Sequence, residues 1–165
     1  MKNIILIGMP SSGKSTIGKT IAEKLNKTFV DMDDEIISYA NMSIPDIFAL
    51  KQEAGFREIE TIITKKVAAK SNCVIATGGG VIKKAENMQY LKENGIIIFI
   101  DRDLSLLIQK DFNRPLSSSK EAVKKLYEER YMLYNTYADI IVKNNEDLDV
   151  CINAIIDEYT KFIQS

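Results

Sequence analysis

Five short apolar runs punctuate the chain, at 4–7, 28–30, 74–77, 96–100 and 140–142. Their length, their isoleucine and valine content and the turn residues around them predict buried strands. Between them the apolar spacing becomes helical, predicting helices over 15–25, 36–39, 45–48 continuing to about 69, 85–92, 104 to about 110, 121 to about 134, and 148–163. The last carries Leu148, Ile152, Ile155, Ile156, Tyr159 and Ile163 at helical spacing and is expected to close the core. Strands that are apolar throughout, alternating with helices, imply an α/β fold: a five-stranded parallel sheet flanked by helices.

The first strand runs directly into Gly8-Met9-Pro10-Ser11-Ser12-Gly13-Lys14-Ser15, and a helix follows. Strand, glycine-bearing loop and helix start are the order that G-x-x-x-x-G-K-[ST] needs to bind a nucleoside triphosphate. Glycines allow backbone N–H groups close to the phosphates, and the helix start adds unpaired donors and the positive end of a dipole. Gly8, Ser11, Ser12, Gly13, Lys14, Ser15 and Thr16 are therefore the expected ATP-binding set. Lys14 is expected to reach the β and γ phosphates, and the Ser15 hydroxyl to ligate Mg²⁺.

At 165 residues the chain fits one domain, 1–165. Its 45% apolar and 27% charged content is that of a soluble globular protein, and its first strand is too short for a signal or a membrane span. A cytoplasmic location without membrane association is expected. Cys73 and Cys151 stand apart among apolar residues and are expected reduced, buried and structural. The chain has no histidine, which excludes Ser-His-Asp triads and imidazole metal sites. A net charge of −1 provides no global field for nucleic acid, so any anion site must be local. Lys83-Lys84 and Lys124-Lys125 read as solvated faces.

Two further strand ends carry chemistry. Asp31-Met32-Asp33 follows the second strand, where carboxyl termini face the ligand crevice of an open α/β sheet. If the backbone stays extended, both aspartates point the same way, one able to hold Mg²⁺ and the other to accept a proton from an attacking hydroxyl. An acidic helix cap is the alternative, and Asp34 and Glu35 fit it better. Thr77-Gly78-Gly79-Gly80 follows the third strand, and three bare residues in succession favour close approach of a ligand to backbone. Among eighteen lysines stand only four arginines, Arg57, Arg102, Arg114 and Arg130, whose guanidinium forks bind carboxylate and phosphate bidentately. Arg102, between Asp101 and Asp103, reads as a surface ion pair. Arg114-Pro115-Leu116 followed by three serines reads as a mobile lid over about 110–122.

The series GMPSSGKST at 8–16, FVDMDDEI at 29–36, SIPDIF at 43–48, FREIE at 56–60, TGGG at 77–80, RPL at 114–116 and RYMLY at 130–134 resembles the shikimate kinase family over essentially the full length. The resemblance implies a P-loop NTPase fold of the nucleoside-monophosphate-kinase-like class, with a substrate-binding helical segment about 32–60. It implies transfer of phosphate from ATP to the 3-hydroxyl of shikimate, with Mg²⁺ as cofactor, in a protein expected to be a monomer without a nucleic-acid partner. It further implies Lys14, Asp33 and Arg114 as catalytic groups, and Asp33, Arg57, Gly79, Gly80 and Arg130 as substrate contacts. Glu60 then holds Arg57, Ser15 and Asp31 serve the metal, and Lys110 falls where the family often has an arginine over adenine. Ser11 and Gln52 depart from the family's usual glycines, and Ser117 replaces a usual leucine.

Overall fold

A computed structural model describes residues 1–109 and 119–165. Five strands, β1 (Asn3–Ile7), β2 (Thr28–Asp31), β3 (Cys73–Ala76), β4 (Gly95–Asp101) and β5 (Ile140–Lys143), form one all-parallel sheet in the order β2-β3-β1-β4-β5. Central β1 pairs Ile5 with Ile75 on one side and with Ile97 on the other. Side chains alternate across a strand, so every apolar position finds a core. Ile4 and Leu6 join Ile17 and Ile21 of α1 (Lys14–Lys24) and Ile152 and Ile155 of α7 (Leu148–Gln164). Ile5 and Ile7 face the other way, toward Ile63 and Val67 of α3 (Ile44–Ala68), Leu91 of α4 (Ala85–Glu93) and Leu126 and Tyr134 of α6 (Lys120–Tyr137). Burial on both faces explains the unbroken apolar strands. Each fully buried isoleucine contributes roughly 1.5–3 kcal/mol.

The remaining helices are α2 (Met32–Ala40) and the single turn α5 (Leu104–Leu107). α2 begins at residue 32, ahead of the predicted 36, because Asp31 caps it: its carboxylate accepts the Asp33 N–H at 2.9 Å. The expected extended Asp31-Met32-Asp33 is thereby corrected, and the cap is Asp31 rather than Asp34 or Glu35. Helix α5 stops at Leu107, short of the predicted 110. A 3-10 turn at Val81–Lys83, absent from the sequence expectation, follows the glycines. Lys110, Arg114, Ser117 and most of the expected lid lie outside the described residues.

α3 is two helical segments joined at Gln52, whose φ of 61° and ψ of −175° lie in a region essentially reserved for glycine. Ser43 caps the first segment, accepting the Asp46 N–H at 3.2 Å. The second carries Phe56, Arg57 and Glu60. The kink holds because Phe48 and Phe56 pack across it, centroids 4.7 Å apart, and Glu53 pairs with Lys83 at 2.8 Å.

Among the described residues, no helix is long and apolar enough to cross a membrane. Both cysteines are free thiols and buried, as expected.

Candidate active site

The loop from β1 to α1 bends through three positive φ angles: Gly8 at 153°, Ser11 at 67° and Gly13 at 102°. Ser11 therefore holds the left-handed conformation that its usual glycine counterpart would adopt freely, costing roughly 1–2 kcal/mol. Gly8 has no room for a side chain, since a β-carbon there would lie 2.7 Å from the Ile100 carbonyl oxygen. No side chain caps α1 at Gly13, and a helix start of this kind suits an anion. The Lys14 ammonium, buried to 8% exposure, donates to the Gly8 and Met9 carbonyls at 2.8 Å each. Asn144, just after β5, donates from its amide to the Ser12 carbonyl at 2.8 Å and braces the loop from across the sheet.

A cleft of about 250 Å³ opens above this loop, lined by Lys14, Ser15, Asp31, Asp33, Gly78 and Gly79 among others. Three strand ends meet there. The end of β3 is tied to β1 because the Thr77 hydroxyl donates to the Leu6 carbonyl at 2.7 Å. On the β2 side, the Ser15 hydroxyl donates to Asp31 at 2.6 Å, uniting two hard oxygens beside the helix start. Asp33, in the first turn of α2, lies close to the glycine corner: its Oδ1 is 3.6 Å from where a Gly78 β-carbon would sit.

The glycine corner gathers the rest. A β-carbon on Gly80 would overlap the Arg57 guanidinium, and one on Gly79 would lie 2.7 Å from Pro10 and 3.2 Å from Arg130 Nη1. Closeness, more than positive φ, is what requires glycine here. Arg57 donates to Glu60 at 2.9 Å and lies over the Phe56 ring, 5.1 Å from its centroid. Burial is nearly complete at Arg57 (8% exposed), Glu60 (1%) and Arg130 (3%). Burial also pushes the Glu60 carboxyl above its ordinary range, against the opposing pull of Arg57.

Buried charge is expensive unless paired, yet among the described residues Arg57 Nε, Arg130 Nε and Nη2, and Glu60 Oε2 have no hydrogen-bond partner. Glu60 pairs with Arg57, and the unpartnered guanidinium nitrogens are donors. Such an arrangement recognises an acceptor-rich anion, a carboxylate or phosphate. The structure thus brings Asp33, Arg57, Glu60, Gly79, Gly80 and Arg130 together beside the phosphate loop. Among the described residues Arg102 forms no ion pair, contrary to expectation: it donates to the Asn144 carbonyl at 2.6 Å, and Asp101 pairs instead with Lys143 at 3.0 Å.

Sequence reasoning assigned no role to Tyr134 or Asn144. Tyr134 is fully buried and donates its hydroxyl to the Gly79 carbonyl at 2.6 Å. Its signal was a tyrosine four residues after Arg130, on the same helix face. For Asn144 the signal was a polar residue at a strand's carboxyl end.

Known proteins point the same way. The pattern of the family described as "Shikimate kinase" matches residues 10–164. A shikimate kinase of Clostridium beijerinckii is 43% identical over 159 residues, 94% of each chain. Among solved structures, a shikimate kinase from Acinetobacter baumannii in complex with shikimate superimposes with a TM-score of 0.89 at 31% identity, covering 99% of this chain and 93% of that one. The Aquifex aeolicus shikimate kinase gives 0.86 at 35% identity, covering 99% of both. A family pattern matched over residues 10–164, with relatives at 43% identity across nearly the whole chain, places this protein in the shikimate kinase family.

Proposed function

We propose that this protein transfers the γ-phosphoryl group of ATP to the 3-hydroxyl of shikimate, giving 3-phosphoshikimate and ADP. The observation that carries the reading is the pair of buried guanidiniums with unpartnered nitrogens, set against bare glycines in the same cleft as the phosphate loop and Asp33. Shikimate has the matching chemistry: a carboxylate at one end of a ring and hydroxyls at the other.

Arg130 and Arg57 take the carboxylate through charge-assisted contacts, and Glu60 holds the Arg57 fork in orientation. The Gly79 and Gly80 backbone meets the ring hydroxyls. Asp33 accepts the proton of the attacking 3-hydroxyl as its oxygen bonds to the γ-phosphorus and the bond to the β-phosphate oxygen breaks. Lys14 exchanges carbonyl contacts for the β and γ phosphates, whose remaining oxygens take the loop amides and the α1 N-terminus. The hard oxygens of Ser15 and Asp31 fit Mg²⁺ and would hold it, directly or through water. Held there, the ion would neutralise charge on the phosphate oxygens. Little covalent work falls to the protein; positioning and charge do most of it.

An ADP-release assay with Mg²⁺-ATP, comparing shikimate, quinate, gluconate and nucleoside monophosphates, tests the reading. Selective turnover of shikimate is expected. Preference for gluconate or a nucleotide acceptor would replace the acceptor assignment, and ATP binding without transfer to any of them would refute the enzyme itself.

A further inference from the structure

Tyr134 is a buried phenol in a helix whose preceding turn supplies Arg130. Residues four apart share a helix face, so one face of α6 delivers both a guanidinium and a hydroxyl to the glycine corner. Phe99 of β4 stacks on the Tyr134 ring, centroids 5.0 Å apart. That hydroxyl donates to the Gly79 carbonyl at 2.6 Å and lies 3.9 Å from Met9 Sδ in the phosphate loop. Burial drives its pKa up to about 12, so it stays a donor throughout the neutral range.

A carbonyl fixed on one side of a trans peptide fixes the next N–H on the other. No peptide in the described chain is cis. We propose that Tyr134 is a positioning residue for the acceptor substrate: by holding the Gly79 carbonyl it sets the plane of the Gly79–Gly80 peptide and aims the Gly80 N–H, which lies beside the Arg57 guanidinium, at the bound shikimate. This rests on the acceptor assignment above. The phenol itself touches neither substrate; it acts through the Gly79–Gly80 peptide, with the Arg130 guanidinium beside its hydroxyl. Glycine makes such a brace necessary, because residues without side chains leave the peptide plane free to rotate.

The test is steady-state kinetics of Tyr134→Phe beside Phe99→Leu. The first removes only the hydroxyl; the second disturbs the same ring packing and leaves the hydroxyl in place. For Tyr134→Phe, the KM for shikimate should rise about three- to tenfold, the effect of one neutral hydrogen bond, with a smaller change in kcat and an unchanged KM for ATP. Phe99→Leu should lower Tm while keeping the wild-type KM for shikimate. An unchanged shikimate KM in Tyr134→Phe, or equal rises in both variants, overturns the proposal. A second readout uses the wild-type protein: titration with shikimate, followed by ¹⁵N NMR, should move the Gly80 amide resonance strongly. Shifts at Arg57 and Arg130 with a silent Gly80 refute the positioning role, whereas no shifts anywhere refute shikimate as ligand.

Discussion

The two halves of the cleft are built in opposite ways. The phosphate loop is one continuous stretch of chain, and its lysine already has carbonyl partners at 2.8 Å. The glycine corner is assembled from α2, α3, α6 and the end of β3, and it keeps buried guanidinium nitrogens without partners. The loop offers an anion the backbone N–H groups of a helix start, whereas the assembled pocket holds buried guanidinium capacity that a ligand completes. The first half is therefore suited to a generic triphosphate and the second to one particular acceptor.

Substitutions should separate the halves cleanly. Lys14→Ala should lower kcat on the order of 10²–10³-fold through lost phosphate charge stabilisation, with shikimate affinity retained in equilibrium binding. Near-normal turnover in the folded variant would remove Lys14 from the chemistry. Arg130→Lys keeps the charge and loses the fork, so the KM for shikimate should rise roughly 10–100-fold while the KM for ATP stays put. A parallel rise in both constants would erase the distinction between the halves. Gln52→Gly should stabilise the protein by about 1 kcal/mol in urea unfolding, because relief of a glycine-only conformation outweighs the extra freedom of the unfolded chain. Lower stability would mean that the kink depends on the glutamine side chain.

The smallest effect is a pH dependence at the glycine corner. Burial raises the folded-state pKa of Glu60, so the folded chain binds that proton more tightly than the unfolded chain does. Its stabilising contribution is fully present below the ordinary glutamate pKa and is lost as pH rises through the raised value. Tm measured upward from acid should show this decline, and Glu60→Gln should remove it. An identical decline in the variant would assign the effect elsewhere.

The same contrast explains what could be read before any coordinates. The five strands and most helices were visible because both sheet faces are buried, which writes continuous apolar runs such as 4–7 and 96–100. The phosphate loop was visible because its chemistry is local. Asp31 misled: a carboxylate at a strand end fits an extended ligand and a helix cap equally well, and here the backbone turns at once into α2. Arg102 misled because adjacent aspartates suggested an ion pair, whereas a carbonyl brought from β5 takes its Nη1. Tyr134 was overlooked since its partner, Gly79, is far away in sequence and its donor role exists only once α6 packs over the corner.

Gly80 leaves a mark on how this chain can change over generations. Every other residue adds a β-carbon where the Arg57 guanidinium lies, so that guanidinium must shift from its contacts with Glu60 and Phe56. A replacement at position 80 is therefore felt first at Arg57, and the two sites are expected to vary together among descendants that keep the same chemistry.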